Sequence, residues 1–286
     1  MKHIEEAIRK SGDLSSVEVV EGVSGGSINE AYYVRTKDRE YFAKSNSSAP
    51  EDFFHAEKDG LELLGRHGVS VPEPLLILSQ GNRESVFLME WIRSMPSSNE
   101  GDRALGSLVA SLHQKKENFA GLHQANFIGE LDQLNEPSTD WVTFFRDQRL
   151  GRMQNLARKK GKLTKERDQR LSKLRQRLDA IIGHQPDFSL LHGDLWGGNW
   201  LMTDEGPYLI DPAVYYGDRE IDIAFTYLFG GYSKAFYDQY QADFPLEKEF
   251  TDRLPIYQLY YLLVHLILFG ESYGNAVDRI LQKYTF

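Results

Sequence analysis

The sequence contains no cysteine, which excludes disulfide bonds and thiolate metal sites. It also lacks an apolar run long enough to cross a membrane. The most apolar stretch, residues 256–270, carries Gln258, His265 and three tyrosines, and it is shorter than the roughly 20 apolar residues that a span requires. We therefore expect a buried C-terminal helix there and no membrane partner. Residues 1–12 are polar and charged, without the apolar core of a signal peptide, so we expect a cytoplasmic protein.

Positive charge is also in short supply. The 33 lysines and arginines are outnumbered by 42 aspartates and glutamates, so the formal net charge is −9. Such a surface repels the phosphates of nucleic acid, and we expect no nucleic-acid partner. Any phosphate ligand must then be held locally, by a few side chains and a metal ion. With 286 residues, 41% of them apolar, the chain can bury the core of one large domain or of two lobes.

The first third of the chain has the pattern of a small, largely antiparallel sheet with one packed helix. Short β-rich segments separated by Gly, Ser, Asn and Pro predict strands and hairpins, while apolar residues three and four positions apart predict helices. A glycine, Gly68, ends the second helical pattern. The predicted helices lie at about 2–10 and 50–68, and the predicted strands lie at 17–21, 31–35, 40–45, 69–78 and 84–92.

The composition changes after residue 92. Residues 93–102 are rich in turn formers and predict a linker, and the rest of the chain has mainly helical patterns, at 105–112, 141–150 and 171–182. The basic stretch 157–170 is typical of a solvated loop and helix face. Two short strands, 199–202 and 207–210, interrupt the helices. We therefore expect an α+β fold with an N-lobe at residues 1–92 and a larger, mainly helical C-lobe at residues 93–286.

The segment "LHGDLWGGNW", residues 191–200, carries the strongest chemical signal. Asp194 and Asn199 are five positions apart, and Asp211 follows at the end of the second short strand. Each of them alone is well explained as a turn former or helix cap. Together they have the spacing of phosphotransferases with a protein-kinase-like core, in which one Asp accepts the proton of the attacking hydroxyl. Asn199 and Asp211 are then the predicted ligands of Mg²⁺, which prefers oxygen donors.

A kinase-like core requires further features upstream, and the sequence supplies them in the required order. Lys44, in the third predicted strand, follows the apolar residues Phe42 and Ala43, which indicates a position facing into the lobe. Glu57, on the next predicted helix, can orient that lysine. An exposed lysine and a solvated helical glutamate are the ordinary alternatives for either residue alone.

Two backbone segments complete the predicted nucleotide site. The hairpin "GVSGGSINEA", 22–31, contains Gly25, Gly26 and Ser27, whose backbone can approach a phosphate, although the full G-x-G-x-x-G pattern is absent. The strand "VFLMEWIRSMP", 86–96, leads into the linker. Its residues Glu90, Trp91 and Ile92 are the predicted adenine site, with the Glu90 carbonyl and the Ile92 N–H as the contacts. Together these features predict an ATP-dependent kinase of a small molecule or a protein.

The motifs resemble those of the fructosamine kinase (ketosamine 3-kinase) family. "HGD" stands in place of H-R-D and "IDPA" in place of D-F-G, as in the aminoglycoside and choline kinase-like branch, and no A-P-E segment follows. The segments "LHGDLWGGN", "IDPAVYYGDREIDIAF" (210–225) and "NFIGELDQLNEPSTDWVTFFRDQRL" (126–150) are similar to that family in particular. The resemblance spans nearly the whole chain, with one departure. Gly197 stands where the family commonly has Ser, and we do not expect that change to abolish activity.

The resemblance implies phosphate transfer from ATP, with Mg²⁺, to the sugar 3-hydroxyl of a ketosamine, either a small molecule or a glycated protein. A 3-phosphate on such a compound sheds the sugar, so the expected outcome is deglycation. Carried over by motif, the base is Asp194, and Lys44 with Glu57 contacts the α- and β-phosphates. Trp196 is expected to pack against the sugar.

The chemistry of neighbouring residues predicts roles for them as well. Asp218 or Glu220 is expected to form an acidic wall for the substrate's protonated amine. His192 is expected to hold the catalytic loop by a side-chain hydrogen bond, and Asp222 to cap the following helix.

Two other functions fit the same motifs. The acceptor can be another amine-bearing alcohol, such as an aminoglycoside or choline, although the segment 126–150 favours a ketosamine. A nucleotide-binding pseudokinase is the non-enzymatic alternative, and the complete set of Lys44, Glu57, Asp194, Asn199 and Asp211 argues against it. The sugar length and the oligomeric state are left open.

Overall fold

The computed structural model describes residues 2–23, 28–79 and 85–285. Its N-terminal helices and strands are α1 (Lys2–Lys10), β1 (Val17–Gly22), β2 (Glu30–Thr36), β3 (Glu40–Asn46), α2 (Phe53–Arg66), β4 (Pro74–Leu78) and β5 (Ser85–Glu90). The five strands form one antiparallel sheet in the order β1-β2-β3-β5-β4. These bounds agree with the predicted strands to within a few residues, apart from the fourth, where the chain becomes regular only at Pro74.

The two helices cover opposite faces of this sheet. Helix α1 buries Ile4, Ala7 and Ile8, the three- and four-residue spacing of an apolar helical face, and these residues pack against one side of β3. Phe54, on helix α2, belongs to a second apolar cluster on the other side. Since strand side chains alternate between faces, Lys44 lies on the α2 side. The prediction that this lysine faces into the lobe is confirmed, because only 5% of its surface is exposed.

The rest of the described chain is mainly helical. It contains α3 (Asn99–His113), β6 (Lys116–Glu117), β7 (Asn126–Ile128), β8 (Leu131–Gln133), α4 (Trp141–Phe144), a π-helix (Phe145–Gly151), α5 (Arg152–Lys159), α6 (Lys165–Arg175), α7 (Leu178–Ile182), β9 (Phe188–Leu191), β10 (Trp200–Thr203), β11 (Gly206–Leu209), β12 (Tyr215–Gly217), α8 (Glu220–Phe229), α9 (Lys234–Asp243), α10 (Phe250–Phe269), a 3₁₀ turn (Glu271–Tyr273) and α11 (Gly274–Tyr284). One large apolar core lies among these helices. The predicted C-terminal helix is α10, and most of its residues are buried. Across the described ranges, no helix is both long and apolar enough to span a bilayer.

Three expectations for this part of the chain need correction. The predicted linker 93–102 is already helical from Asn99, because Ser98 caps α3 by accepting a hydrogen bond from the backbone of Gly101. The predicted helix 171–182 is two helices, α6 and α7, separated at residues 176–177. The basic stretch 157–170 is not wholly solvated, since Arg167 is buried and pairs with Glu271 and Asp278 of the C-terminal segment.

Small sheets position the loops that carry the candidate site. Strands β12, β9 and β6 form one antiparallel sheet, and β10 with β11 forms a hairpin. The loop between β9 and β10 holds Asp194 and Asn199, and Asp211 follows β11. Residues 91–98 connect the five-stranded sheet to α3, and within them the Met95 N–H donates to the Met202 carbonyl at 2.8 Å. We retain residue 92 as the proposed boundary between the lobes.

Candidate active site

The three acidic and amide side chains of the central motif converge in the structure. The Nδ2 atom of Asn199 donates to Oδ2 of Asp194 and to its carbonyl oxygen, each at 2.8 Å, and lies 3.4 Å from the Asp211 carbonyl. The backbone closes the same cluster, because the Ile210 N–H donates to the Asn199 carbonyl at 3.0 Å. The hairpin β10–β11 thus places the residue before Asp211 next to Asn199. These contacts bring the predicted base beside both predicted metal ligands.

Asp211 connects this cluster to the N-terminal sheet. Its Oδ1 lies 2.7 Å from the Lys44 ammonium, and Oε1 of Glu57 lies 2.6 Å from the same nitrogen. Burial works to lower the pKa of Lys44, but the carboxylates of Asp211 and Glu57 outweigh it and raise that pKa above its ordinary value. A charged lysine between two carboxylates, with a third N–H that no described residue engages, is a suitable contact for nucleotide phosphates.

The backbone at Asp211 is unusual. Its φ is +55°, a left-handed conformation that non-glycine residues seldom adopt. The side chain is 43% exposed, whereas that of Lys44 is only 6% exposed. The strained turn therefore exposes the Asp211 carboxylate, while the buried Lys44 ammonium contacts it from the protein interior.

Asn199 and Asp211 fit the coordination of Mg²⁺. Among the described residues, no hydrogen bond reaches Oδ1 of Asn199, because only its Nδ2 is engaged. Likewise, no hydrogen bond from a described residue reaches Oδ2 of Asp211, because Lys44 contacts Oδ1. One amide oxygen and one carboxylate oxygen, next to each other and partly open, are the oxygen donors that Mg²⁺ takes along with waters and phosphates.

Asp194 lies in a setting that favours proton transfer. Burial raises its pKa to about 7, the Asn199 hydrogen bond opposes the shift, and the nearby carboxylates of Asp211 and Asp222 add to it. A carboxylate whose pKa is close to neutral is well matched to general-base chemistry at physiological pH.

The loop that carries Asp194 is fastened from two sides. Nε2 of His192 lies 2.9 Å from the Ile210 carbonyl, and its Nδ1 accepts the Asp194 N–H at 3.3 Å. The predicted structural role of His192 is confirmed by these bonds. Gly193 has a φ of +81°, and a Cβ there would lie 2.0 Å from the Ala213 carbonyl oxygen, so only glycine fits between the two segments.

Comparison with known proteins agrees with this geometry. The sequence profile described as fructosamine kinase matches residues 1–285. The chain belongs to the fructosamine kinase family. A Lactiplantibacillus plantarum protein assigned as a ketoamine kinase is 42% identical over 276 residues, which cover 95% of this chain and 96% of that protein.

Solved structures show the same fold. A Haemophilus somnus 129PT protein assigned as a fructosamine-3-kinase superposes with a TM-score of 0.89 at 28% identity, covering 99% of this chain and 96% of the other. An aminoglycoside phosphotransferase in complex with ADP and hygromycin B superposes with a TM-score of 0.68 over 97% of each chain. At 14% identity the latter comparison shows the fold alone. The two-lobed, protein-kinase-like α+β fold expected from the motifs is confirmed, and a kinase of this family and fold uses ATP.

The nucleotide side of this family member is only partly described. Gly25, Gly26 and Ser27 lie outside the described residues. The indole of Trp91 packs against Tyr33, with ring centroids 4.6 Å apart, so its side chain is engaged with the sheet.

Strand β5 ends at Glu90, whose backbone N–H donates to the Glu73 carbonyl at 3.0 Å. The contacts of the Glu90 carbonyl and the Ile92 N–H with adenine stay a prediction.

The proposed acidic wall does not form. Asp218 and Glu220 are each only 1% exposed, and their oxygens are used inside the protein. Tyr257 donates to Asp218 at 2.5 Å, while the Arg253 guanidinium makes two bonds of 2.7 Å to Glu220. A wall for a substrate amine needs carboxylate oxygens that face the solvent, so the two residues act as internal anchors instead.

Trp196 lies where a substrate contact is feasible. Its indole folds back over Gly198, and a Cβ on that glycine would lie 2.3 Å from the ring. The ring is half-buried and the neighbouring Gly198 is exposed. The proposal that Trp196 packs against a sugar therefore remains open to test.

The structure gives Asp218 and Asp222 roles other than the expected ones. Helix α8 begins at Glu220, and Asp218, two residues earlier, accepts the Glu220 N–H at 2.9 Å. Asp222 lies inside the helix and cannot cap it. Its carboxylate instead accepts the backbone N–H groups of His192 at 2.7 Å and Gly193 at 3.0 Å. A lone carboxylate within the apolar segment "IDIAF", 221–225, was the available signal, because a buried charge requires dedicated partners.

A second group that sequence reasoning missed lies in the family-like segment 126–150. Asn126 donates to the Val214 carbonyl at 2.8 Å, and Gln133 donates to the Ala213 carbonyl at 3.0 Å. These bonds hold the segment that follows Asp211. The polar residues in the family-like segment thus support the loop that carries the predicted metal ligand Asp211 from inside the C-terminal part of the chain.

Proposed function

We propose that this protein transfers the γ-phosphate of ATP to the 3-hydroxyl of a ketosamine, such as a fructosamine or ribulosamine. The observation that carries the proposal is the juxtaposition of Asp194 with Asn199 and of Asp211 with Lys44, in a chain of the fructosamine kinase family. The related proteins assigned as ketoamine kinases support the same substrate class. Subsequent loss of the phosphorylated sugar, and hence deglycation of a small molecule or protein, is part of the proposal, as is a cytoplasmic location.

In the proposed reaction each side chain has a separate task. The acceptor hydroxyl gives its proton to Asp194 as its oxygen bonds to the γ-phosphorus, and the bond from that phosphorus to the β-phosphate oxygen breaks to release ADP. Lys44 contacts the α- and β-phosphates, with Glu57 keeping its ammonium in place. Asn199 and Asp211 would hold Mg²⁺, which neutralises phosphate charge when bound.

The test is a kinetic panel with ATP and Mg²⁺ over fructosamines, ribulosamines, erythrulosamines and a glycated protein. We expect ADP release together with a 3-phosphorylated sugar for at least one ketosamine. The Asp194→Asn substitution should lower kcat by about 10²–10⁴-fold, the usual contribution of a general base, while nucleotide binding by calorimetry is retained. Asp238→Asn, an exposed pair with Lys234 on α9, is the matched control.

Two results would replace this proposal. Turnover of choline or an aminoglycoside with no turnover of any ketosamine would transfer the assignment to another amine-bearing alcohol. Tight ATP binding without turnover of any acceptor would indicate a nucleotide-binding pseudokinase.

A further inference from the structure

A series of buried, hydrogen-bonded polar side chains leads from the protein interior to the loop that carries Asp194. It begins at Arg219, before helix α8, passes through Tyr240 on α9 and His113 at the end of α3, and reaches Asp222. The distances are 3.0 Å from Arg219 to the Tyr240 hydroxyl, 2.8 Å from that hydroxyl to Nδ1 of His113, and 3.3 Å from Nε2 of His113 to Asp222. None of the four residues is more than 7% exposed, so water does not compete for these bonds.

The direction of each hydrogen bond follows from the one before it. A guanidinium can only donate, so the Tyr240 oxygen accepts from Arg219. The phenol then has one proton to give, and Nδ1 of His113 is the atom in reach. With Nδ1 accepting, a neutral imidazole carries its proton on Nε2 and donates it to the Asp222 carboxylate. A doubly protonated His113 would point a second donor at the Tyr240 oxygen and leave the phenol proton without an acceptor.

Electrostatics agree with a neutral ring. Burial lowers the pKa of His113 below its ordinary value, although the carboxylate of Asp222 opposes the shift. The charged groups that contribute are Asp222, Arg219 and Asp218.

Close packing of helix α3 against helix α9 brings these polar side chains together. Gly106 lies two turns before His113 on α3, and a Cβ there would lie 2.6 Å from the Phe236 carbonyl oxygen of α9. The absence of a side chain lets the two helices approach, which places His113 against Tyr240. Arg219 is held in turn by the carbonyls of Phe244 and Pro245 and lies 3.8 Å above the Phe244 ring.

We propose that Arg219, Tyr240 and His113 are positioning residues that act through Asp222 on the loop carrying Asp194. Asp222 accepts two backbone N–H groups of that loop, from His192 and Gly193, and the His113 N–H is its third donor. A fully buried carboxylate with one of its donors removed is free to rotate, and that rotation releases the backbone N–H groups immediately before Asp194. We call the hydrogen-bonded series Arg219–Tyr240–His113–Asp222 the relay. The relay therefore keeps Asp194 beside Asn199.

The tautomer is the first test, and it needs no substitution. In uniformly ¹⁵N,¹³C-labelled protein, with His113 assigned through the backbone, a two-bond ¹⁵N–¹H spectrum reports which ring nitrogen carries the proton. We expect Nε2 protonated and Nδ1 unprotonated at pH 7. A ring protonated on Nδ1, or on both nitrogens, would overturn the proposed relay.

Variants of His113 and Tyr240 test its effect on catalysis. His113→Gln places an amide N–H near the position of Nε2 and can still donate to Asp222, whereas the shorter side chain of His113→Asn reaches only towards Tyr240. We expect His113→Gln to keep kcat within about 3-fold and His113→Asn and Tyr240→Phe to lower kcat about 10-fold, the scale of one buried hydrogen bond. The KM for ATP should stay unchanged, since the relay does not reach the nucleotide site.

Tyr237→Phe on the same helix is the control for Tyr240→Phe, because its hydroxyl contacts Thr226 and lies outside the relay. Equal losses of kcat in His113→Gln and His113→Asn, or a rise in the KM for ATP without loss of kcat, would show that these residues contribute only ordinary core packing. If the wild-type protein turns over no ketosamine, the proposed function fails, while the tautomer measurement still decides the relay.

Discussion

Gly197, in the catalytic loop, packs directly against the turn that follows helix α8. A Cβ at this position would lie 2.6 Å from the Gly230 carbonyl oxygen and 2.9 Å from the Gly231 Cα. Both partners are backbone atoms, which cannot rotate away as a side chain can. In this chain the glycine is therefore more than a small alternative to the serine that the family commonly has.

We predict that Gly197→Ala lowers the free energy of unfolding by about 1–3 kcal/mol, the usual cost of forcing an extra carbon into a packed site. Urea denaturation followed by tryptophan fluorescence would measure it. Gly65→Ala on α2 is the control, since a Cβ there meets only Val71 at 3.6 Å, and helix propensity favours alanine over glycine. Equal stability of Gly197→Ala and the wild type would show that the turn at Gly230 yields easily.

At the scale of single elements, the π-helix explains how Arg149 enters the core. This segment, Phe145–Gly151, carries the guanidinium inward, where it lies 3.9 Å from the Tyr215 ring centroid and donates to Asn135 at 2.7 Å. Asn135 donates to Asn126 at 2.8 Å, and Asn126 holds the Val214 carbonyl. Short π-helical turns within α-helices are frequent at functional sites.

Gln133 is the other support of the same segment, and its removal is the sharper test. We predict that Gln133→Leu destabilises the protein by about 2–4 kcal/mol, because the Ala213 carbonyl, the Tyr260 hydroxyl and Oδ1 of the Asn126 side chain all lose a buried partner. Urea denaturation measures the loss. The exposed Gln176, changed to Leu, should be neutral within about 0.5 kcal/mol; a similar loss in both variants would contradict the structural role of Gln133.

Asp13 ties the end of helix α1 to the N-terminal sheet. Its carboxylate accepts hydrogen bonds from the hydroxyls of Ser15 at 2.6 Å, Thr36 at 2.7 Å and Tyr41 at 2.8 Å. Burial works to raise the pKa of Asp13, but these bonds outweigh it and hold the pKa well below the ordinary 3.8. The carboxylate therefore stabilises the fold fully above about pH 4–5, and that contribution is lost as the pH falls towards the folded-state pKa.

We predict that Asp13→Asn costs about 1.5–3 kcal/mol at pH 6, as expected for hydrogen bonds to a buried charge, and that the difference from the wild type shrinks towards pH 3. Urea denaturation at several pH values would show this. Asp187→Asn, which removes an exposed pair with Lys116, should show little effect at any pH. A difference that stays constant with pH would mean that the charge of Asp13 contributes nothing.

For the whole molecule, several contacts between the two parts of the chain lie near Asp211. They include Lys44 with Asp211, Asp59 with Gln124, and Gly60 packed against Pro212 and Val214. Helix α2 thus rests on the segment that follows the proposed metal ligand. A ligand that engages Lys44 and Asp211 together should stabilise both parts at once.

We predict that ATP with Mg²⁺, at about 100 times its Kd, raises the unfolding free energy by about 2.7 kcal/mol and the Tm by several degrees. Differential scanning fluorimetry without an acceptor would measure the shift. Omission of Mg²⁺ should remove most of it, and so should the Asp211→Asn substitution. An equal shift in the wild type and in Asp211→Asn would exclude Asp211 as the metal ligand.

Much of the N-terminal sheet and the core of the candidate site could be predicted because their patterns are local. The apolar residues Phe42 and Ala43 indicated that Lys44 faces into the lobe, and the loop and hairpin between His192 and Asp211 are short enough that spacing alone limits their geometry. The acidic wall was wrong because exposure depends on which helix covers a residue: Arg253, on α10, lies 33 positions beyond its partner Glu220 in sequence.

The sequence by itself determined the class of chemistry and the fold, because a kinase-like core requires a lysine, a glutamate, two aspartates and an asparagine in a set order that a chain reveals directly. Only the tertiary structure decided which carboxylates face a ligand and which face the interior. Asp218, Glu220 and Asp222 are similar acids within five positions of one another, yet one accepts a hydrogen bond from Tyr257, one pairs with Arg253 and one holds the loop that carries Asp194. The partners that separate them lie on helix α10 and on the loop before Asp194, far away in sequence, and no local pattern encodes that arrangement.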